Sequence, residues 1–374
     1  MSRQIKELAV QTALALGAGA VAVTTARSDD ESRRRMAEAF ERGDMQCWGY
    51  DAQYARRACD PAELLAGARS VLCVALPYAS QGPRAQRLRG RVSNYAWSGD
   101  YHRRLRALLT QVARAIDEAA GAAVTAVACD TKPLAERAFA ARAGLGWIGK
   151  HTNLIAPQLG SFVFLGEIVT TLDLPPDAPL RKTCGDCRRC IDACPTGALR
   201  GDYTIDANRC ISDLTQRTDA IPHALRPLMG QWVWGCDLCQ TVCPPTREAG
   251  VARDAAWGPT DPEAAAPALV DLLGLKSGAF KRRYRTTAMG WRGAAVLRRN
   301  AAVALGNALD RSAVKPLAAS LESDPHPMVR GHAAWALGRI GSPEAVGALR
   351  QRENVEEDQE VRAEIAMALQ PFGP

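Results

Sequence analysis

The 374-residue sequence predicts three parts in series. They are an α/β domain (1–172), a ferredoxin-like domain for two [4Fe–4S] clusters (173–250) and an α-helical, HEAT-like repeat (251–374). Three observations carry this. Helical periodicity alternates with short apolar runs in the first half, eight of the twelve cysteines stand at ligand spacing in the middle, and a 32-residue period runs through the end. A chain of this length exceeds one compact domain and fits two or three.

In the first part, amphipathic patterns over 5–16, 101–120 and 134–143 predict helices. The runs SVLCVAL (70–76), AVTAVAC (123–129) and SFVFLGEIV (161–169) predict strands. TALALGAGAVAVT (12–24) imitates a secretion signal, but Lys6 and Glu7 precede it and the charged segment Arg27 to Asp30 follows at once. It reads as a buried helix running into a strand. No run of eighteen apolar residues exists, so no membrane span is expected. TLDLPPDAPLRK (171–182) and AAWGPTDPEAAAP (255–267), rich in proline, read as linkers.

The middle part carries Cys184, Cys187, Cys190 and Cys194-Pro195, the spacing C-x2-C-x2-C-x3-C-P, then Cys210, Cys236, Cys239 and Cys243-Pro244. Three thiolates at x2 spacing wrap one cubane, and the fourth cysteine serves the other cluster. Cluster one then takes Cys184, Cys187, Cys190 and Cys243; cluster two takes Cys194, Cys210, Cys236 and Cys239. Structural zinc also uses C-x2-C, but the triple cysteine and the C-P in both halves favour iron–sulfur. Cys47, Cys59, Cys73 and Cys129 share no such spacing and read as small buried apolar residues. Cysteines at ligand spacing in a long chain suit a reducing cytosol.

In the last part LRRNAAVALG (297–306), VRGHAAWALG (329–338) and VRAEIAMALQ (361–370) repeat in register, each with arginine near its start. The overall charge is +7, and residues 281–300 hold seven lysines and arginines and no acid. A charge run is commonly a solvated face, but bordering a solenoid it suits a phosphate backbone. The candidate contacts are Lys281, Arg282, Arg283, Arg285, Arg292, Arg298, Arg299 and Arg330. Tyr284 and Trp291 lie among these charges and can stack or pack.

Some motifs are decoys. GLGWIG (144–149) spells G-x-G-x-x-G but follows a helix instead of a strand, so it predicts no dinucleotide site; its glycines suggest close approach to a large flat ligand. GAGAVA (17–22) fails in the same way. His326, in DPHPMV, lacks the glycine of a D-x-H-x-x-G cobalamin loop, because position 329 is Val.

SNYAWSGDYH, CDTKPLAERAFAARAGLGWIGKHTNLI, GSFVFLGEIVT, NRCISDLTQ, WGCDLCQTVCP and FKRRYRTTAMGWRGAAVLRRNAAVALGN occur in this order. Across nearly the whole chain this order resembles the epoxyqueuosine reductase family. The resemblance implies a cobalamin without a protein axial ligand, fed by clusters of low potential, roughly −400 mV for ferredoxin types. It implies reduction of epoxyqueuosine to queuosine at the wobble position of tRNA with a GUN-type anticodon. It assigns Asp130 as proton donor, a role that needs a raised pKa and contributes about 10²–10⁴-fold; the plain alternative is a helix cap. It further places Arg57, Tyr95, Lys150, Thr152, Asn153, Leu154, Leu165, Arg217 and Pro222 at the corrin. RRACDP is one residue longer than the family's R-x-D-P, which leaves Arg56 and Arg57 as alternatives. The reading includes a flavodoxin- or ferredoxin-type electron donor, a cytoplasmic monomer and no membrane. The competing readings are a small-molecule reductase of the reductive-dehalogenase type and a pure electron-transfer adaptor.

Overall fold

The computed structural model describes residues 1–84, 86–251, 257–259 and 261–373. Its strands are β1 (Ala20–Thr25), β2 (Ser70–Pro77), β3 (Arg91–Val92), β4 (Thr125–Ala128), β5 (Trp147–Ile148), β6 (Leu154–Ile155), β7 (Val163–Thr170) and β8 (Trp232–Trp234). The chain packs as two compact units. Unit 1 comprises residues 1–80, 100–208 and 238–257, and unit 2 comprises 81–99, 209–237 and 258–374.

Unit 1 is built on a four-stranded sheet of order β1-β2-β7-β4, antiparallel throughout. Side chains alternate between sheet faces along a strand, so β7 presents Leu165, Glu167 and Val169 on one face and Gly166 on the other. The Gly166 face receives the helix Tyr101–Ala120, because an added Cβ there would stand 2.6 Å from Leu109. That helix begins where the Asp100 carboxylate accepts from the His102 N–H and ends on Gly121 in the left-handed region. Its stripe Leu105, Leu109, Val112 and Ile116 is buried. The opposite face carries the helix Glu136–Arg142, whose Phe139 and Ala140 join Cys73, Ala128 and Val169 in one core.

The helices expected over 5–16 and 134–143 are present as Ser2–Ala15 and Glu136–Arg142. The segment 171–182 differs from a free linker. Leu174 is buried, the Asp177 N–H donates to the Val23 carbonyl, and the Lys6 ammonium donates to both Pro175 O and Asp177 Oδ1. Of the second proposed linker, residues 255, 256 and 260 lie outside the described residues, and Pro262–Ala265 is helical.

Unit 2 pairs β3 with β8 in parallel and stacks the helices Ala294–Ala308, Val314–Ser323, Pro327–Ile340, Pro343–Glu353 and Gln359–Leu369. The repeat glycines set the stacking. A Cβ on Gly306 would lie 2.9 Å from Ala336, and one on Gly338 would lie 2.8 Å from Ala368, one period further on. The third repeat carries an exposed Gln370 at this place.

Among the described residues, no helix is long and apolar enough to cross a membrane.

Candidate functional site

The candidate site in unit 1 starts at the end of β4, where the chain leaves the sheet through Cys129 and Asp130. Asp130 holds φ +52°, a left-handed conformation that costs a non-glycine residue energy and persists only where its surroundings impose it. Three contacts impose it. The Asp130 N–H donates to Glu136 Oε1 at 2.5 Å, the Tyr101 hydroxyl donates to Asp130 Oδ2 at 2.8 Å, and His102 Nε2 lies 2.9 Å from the same oxygen. His102 Nδ1 in turn meets Asp100 Oδ1 at 2.6 Å. The imidazole therefore bridges two carboxylates. Burial lowers its pKa, but these carboxylate bonds outweigh burial and raise it.

The raised pKa expected of an acid is corrected here. The His102 hydrogen bond, with help from Tyr101, outweighs the upward push of burial and holds the carboxyl below its ordinary value, and the side chain is 56% exposed. Around it stands an aromatic wall: Tyr101 stacks on Phe164 (4.1 Å, 3°), Phe164 on Tyr78 (4.1 Å), and Trp257 tilts against Phe164 at 5.2 Å.

Behind Asp130 lie two further carboxyls that sequence reading passed over. Glu167, central in β7 between Cys73 and Ala128, is 0% exposed, and neither of its carboxyl oxygens has a hydrogen-bond partner among the described residues. Burial pushes it well above the ordinary carboxylate range, and burial with the Asp130 charge lifts Glu136 to about 8. One signal was available: a glutamate inside the apolar run SFVFLGEIV is out of place.

The residues assigned to the corrin divide between the units. In unit 1, Arg57 is exposed in the last turn of the helix Ala52–Ala58, beside the equally exposed Arg56, and the choice between them stands open. The loop between β5 and β6 carries Lys150, Thr152 and Asn153. The Lys150 N–H donates to Cys184 Sγ at 3.4 Å and its Nζ to Gly185 O at 2.7 Å, which ties this loop to the first cysteine group. Thr152 holds φ +65° and its carbonyl accepts from Arg137; the Asn153 N–H donates to His151 Nδ1. Leu154 is buried in the sheet core and Leu165 is partly buried against it. In unit 2, Tyr95 sits in the short helix Asn94–Ala96, Arg217 is buried beside Asp219 (3.2 Å), and Pro222 is exposed.

A large polar cofactor suits the β5–β6 loop in one respect. His151 Nε2 and Trp147 Nε1 are buried without a partner among the described residues, and burial lowers the His151 pKa to about 4. The glycines of GLGWIG do not open onto a flat ligand. A Cβ on Gly144 would meet Ala178 O at 2.2 Å, and one on Gly146 would meet Ile155 O at 2.4 Å. Gly144 and Gly146 admit the chain's own backbone, and Gly149 admits the Ile155 and His151 side chains.

Cys184, Cys187, Cys190 and Cys243, all in unit 1, are brought within electrostatic reach of one another. Burial raises the Cys190 thiol, and the Cys184, Cys243 and Cys187 thiols act on it; Cys184 and Cys187 act likewise on Cys243. Among the described residues, no three His, Cys, Asp or Glu converge on a single metal ion; a cubane takes its thiolates at separate corners. Cys194 and Cys239 lie in unit 1, and Cys210 and Cys236 in unit 2. Of the four remaining cysteines, Cys59, Cys73 and Cys129 are buried, with burial pushing Cys59 to about 11 and Cys129 to about 12. Cys47 departs from the expectation and is exposed.

The basic segment sorts into two groups. Lys281, Arg282, Arg283 and Arg285 are exposed around the end of the helix Ser277–Tyr284, and Arg292 is half-buried, 3.7 Å over the exposed Trp291 ring. Arg298, Arg299 and Arg330 are corrected as phosphate contacts, because their donors are already committed. Arg298 forks onto Asp324 at 2.6 and 3.0 Å, and Arg330 forks onto Glu356 at 3.0 and 2.8 Å. Arg299 is 0% exposed and donates to the carbonyls of Leu214, Arg217 and Asp219. Tyr284 is buried against Phe280. His326 stands at the N-cap position of the helix Pro327–Ile340 without a capping bond from its side chain.

An iron–sulfur thiolate set, a strained aspartate beside an imidazole and a helical repeat together describe an iron–sulfur oxidoreductase carrying a repeat module. Family models agree part by part: a 4Fe-4S double cluster binding domain matches 183–246, HEAT repeats match 293–370, and epoxyqueuosine reductase QueG matches 58–131. The epoxyqueuosine reductase of Bacillus subtilis (strain 168) is 35% identical over 372 residues, covering 98% of this chain and 96% of that protein. That of Escherichia coli (strain K12) is 38% identical over 285 residues, 75% of each. The chain belongs to the epoxyqueuosine reductase family. A crystal structure of an epoxyqueuosine reductase with an epoxyqueuosine-modified tRNA-Tyr stem loop superposes at TM-score 0.91, with 34% identity over 98% of both chains. A Bacillus subtilis structure, whose aspartate catalytic loop is swung out of the active site, superposes at 0.90 with 34% identity over 98% of both chains.

Proposed function

We propose that this chain reduces epoxyqueuosine to queuosine in the anticodon loop of tRNA. The observation that carries the reading is the near-full-length likeness to the enzyme crystallised with an epoxyqueuosine-modified stem loop. The functional parts follow the division at 1–172, 173–250 and 251–374. The clusters take the two cysteine sets assigned by spacing, and the further cofactor is a cobalamin held by Arg57 or Arg56, Tyr95, Lys150, Thr152, Asn153, Leu154, Leu165, Arg217 and Pro222. When bound, that cofactor supplies the electron pair, received one electron at a time, that opens the epoxide.

The residues of the chain supply the rest. Lys150 links the cofactor loop to the cysteine group through its amide and ammonium. The Phe164, Tyr101 and Tyr78 stack offers an aromatic wall beside Asp130. Asp130 hands a proton to the epoxide oxygen as negative charge develops there, and Tyr101 and His102 fix the carboxyl that does so. Chemistry on a wobble nucleoside requires the base to leave its stack. The exposed group Lys281, Arg282, Arg283 and Arg285, with Arg292, holds the phosphates of the stem loop. The protein works in the cytoplasm as a monomer and draws electrons from a flavodoxin or ferredoxin system.

The test is nucleoside mass analysis. Holoenzyme carrying both clusters and cobalamin is reduced and incubated with tRNA bearing epoxyqueuosine. Loss of one oxygen from that nucleoside, absent without cobalamin, is the expected result. No loss with all cofactors bound overturns the reading in favour of a small-molecule reductase.

A further inference from the structure

Trp291 is the one exposed aromatic side chain among the described residues, with 54% of its surface in solvent. The other seven tryptophans are buried or half-buried. A single exposed apolar residue is ordinary, but three features set this one apart. The first is the turn that carries it. The Thr287 N–H and hydroxyl both donate to the Tyr284 carbonyl, and the Met289 N–H donates to Thr287 Oγ1. The Gly290 N–H donates to Thr287 O, and a Cβ on Gly290 would stand 2.6 Å from the carbonyl oxygens of both Tyr284 and Arg285. Only glycine lets the chain fold back so tightly on the end of the helix Ser277–Tyr284. Tyr284 and Met289 on either side of this turn are buried, so the turn is anchored and the indole is held at a fixed place.

The second feature is Arg292, whose guanidinium lies 3.7 Å over the indole ring. Tryptophan is the best of the aromatic rings for this attraction, and the cation fixes how the ring is presented. The third is the surrounding charge. Residues 281–300 contain no acid, and Lys281, Arg282 and Arg285 are exposed and form no ion pair among the described residues. Arg283 alone of that group reaches a carboxylate, Glu263 at 3.8 Å. A cationic surface suits an anionic partner, and a rigid aromatic face suits a flat one. The two together suit a nucleic acid with unpaired bases, since a duplex offers phosphates but keeps its base faces stacked.

We propose that Trp291 is the stacking platform for an unpaired base of the anticodon loop, held in place by Gly290 and backed by Arg292. This rests on the reading of the substrate as a tRNA stem loop. Taking the wobble nucleoside out of its stack strips a neighbouring base of a stacking partner. An indole replaces that partner without demanding a particular sequence, because every base has a π-face. No bond forms or breaks in this step. Trp291 is a binding residue, and its contribution is separate from the phosphate contacts of the basic group around it.

The experiment measures the Kd of the holoenzyme for an epoxyqueuosine-bearing stem loop at several salt concentrations. Trp291→Ala should weaken binding roughly 5- to 150-fold. The slope of log K against log salt should not change, since no phosphate contact is lost. Trp291→Phe should recover most of the affinity, and thermal unfolding and iron content should match wild type in both variants, because the side chain is exposed. Stem loops made abasic at one unpaired position at a time then locate the partner. At one position outside the wobble nucleoside, removing the base should weaken binding to wild type and leave Trp291→Ala unaffected. Equal affinity in Trp291→Ala, or a loss that no abasic position shares, overturns the proposal. So does a variant impaired only when a protein electron donor replaces a chemical reductant, which would make this surface a donor-docking site. A wild-type enzyme that shows the coupling to Trp291 yet never deoxygenates the stem loop sinks the functional reading alone, and one that binds no stem loop sinks both.

Discussion

Arg298 closes on Asp324 with a two-pronged hydrogen bond, and 32 residues later Arg330 closes on Glu356 in the same way. The repeated arginine that marks the sequence period is thus an internal clamp between successive helix pairs. Each clamp is largely buried, so each charge depends on its partner.

Arg298→Ala therefore leaves the buried Asp324 carboxylate unpaired. A loss of about 3–5 kcal/mol is expected from denaturant unfolding. The double exchange Arg298→Met with Asp324→Leu should cost much less, because it strands no charge.

Acid weakens the second clamp. Burial raises the Glu356 carboxyl, but Arg330, the Asp358 N–H and Arg352 outweigh burial and hold it down to about 2. A depressed carboxylate stabilises the fold above its unfolded value of about 4.3 and loses that contribution as pH falls toward 2. Unfolding followed by circular dichroism should lose about 3 kcal/mol over this window. Glu356→Gln should be less stable at neutral pH and nearly flat across it.

Stem-loop binding should separate the two groups of arginine. Replacing exposed Arg282 by alanine is expected to lower the slope of log K against log salt by about 0.7–0.9, with stability unchanged. Substituting Arg299, which holds three backbone carbonyls, should act on folding before it acts on RNA. Titrations at several salt concentrations decide between these outcomes.

Asp130→Asn retains the shape of the side chain and removes the proton. Turnover should fall about 10²–10⁴-fold with KM nearly unchanged and iron content intact. Equal turnover in the variant would remove the carboxyl from the acid role.

The two cysteine sets can be told apart by iron content and electron paramagnetic resonance. Cys243→Ala should lose the cluster shared with Cys184, Cys187 and Cys190, about half of the iron, and leave the signal of the other. Cys239→Ala should do the reverse. Loss of the same cluster in both variants would contradict the crossed assignment.

What the sequence determined by itself was what depends on nearby residues. Cysteines two and three residues apart specify a cluster because a short loop limits which corners their thiolates reach. The helix Tyr101–Ala120 has the bounds its period predicts, since its apolar stripe and flanking cap residues are local. The repeat was visible because each unit meets a copy of itself.

Tertiary structure decided the chemical state of groups whose partners are distant in the chain. Arg298, Arg299 and Arg330 read as surface charge, yet the carboxylates that hold Arg298 and Arg330 lie 26 residues away, and the carbonyls that hold Arg299 lie 80 to 85 residues away. Gly144 and Gly146 of GLGWIG were spent on the backbone at Ala178 and Ile155. Asp130 owes its state to His102, 28 residues before it, and Glu167 owes its raised pKa to a burial that only the assembled sheet creates. Spacing identifies residue types, but charge states follow from desolvation and from neighbours, and only folding supplies those.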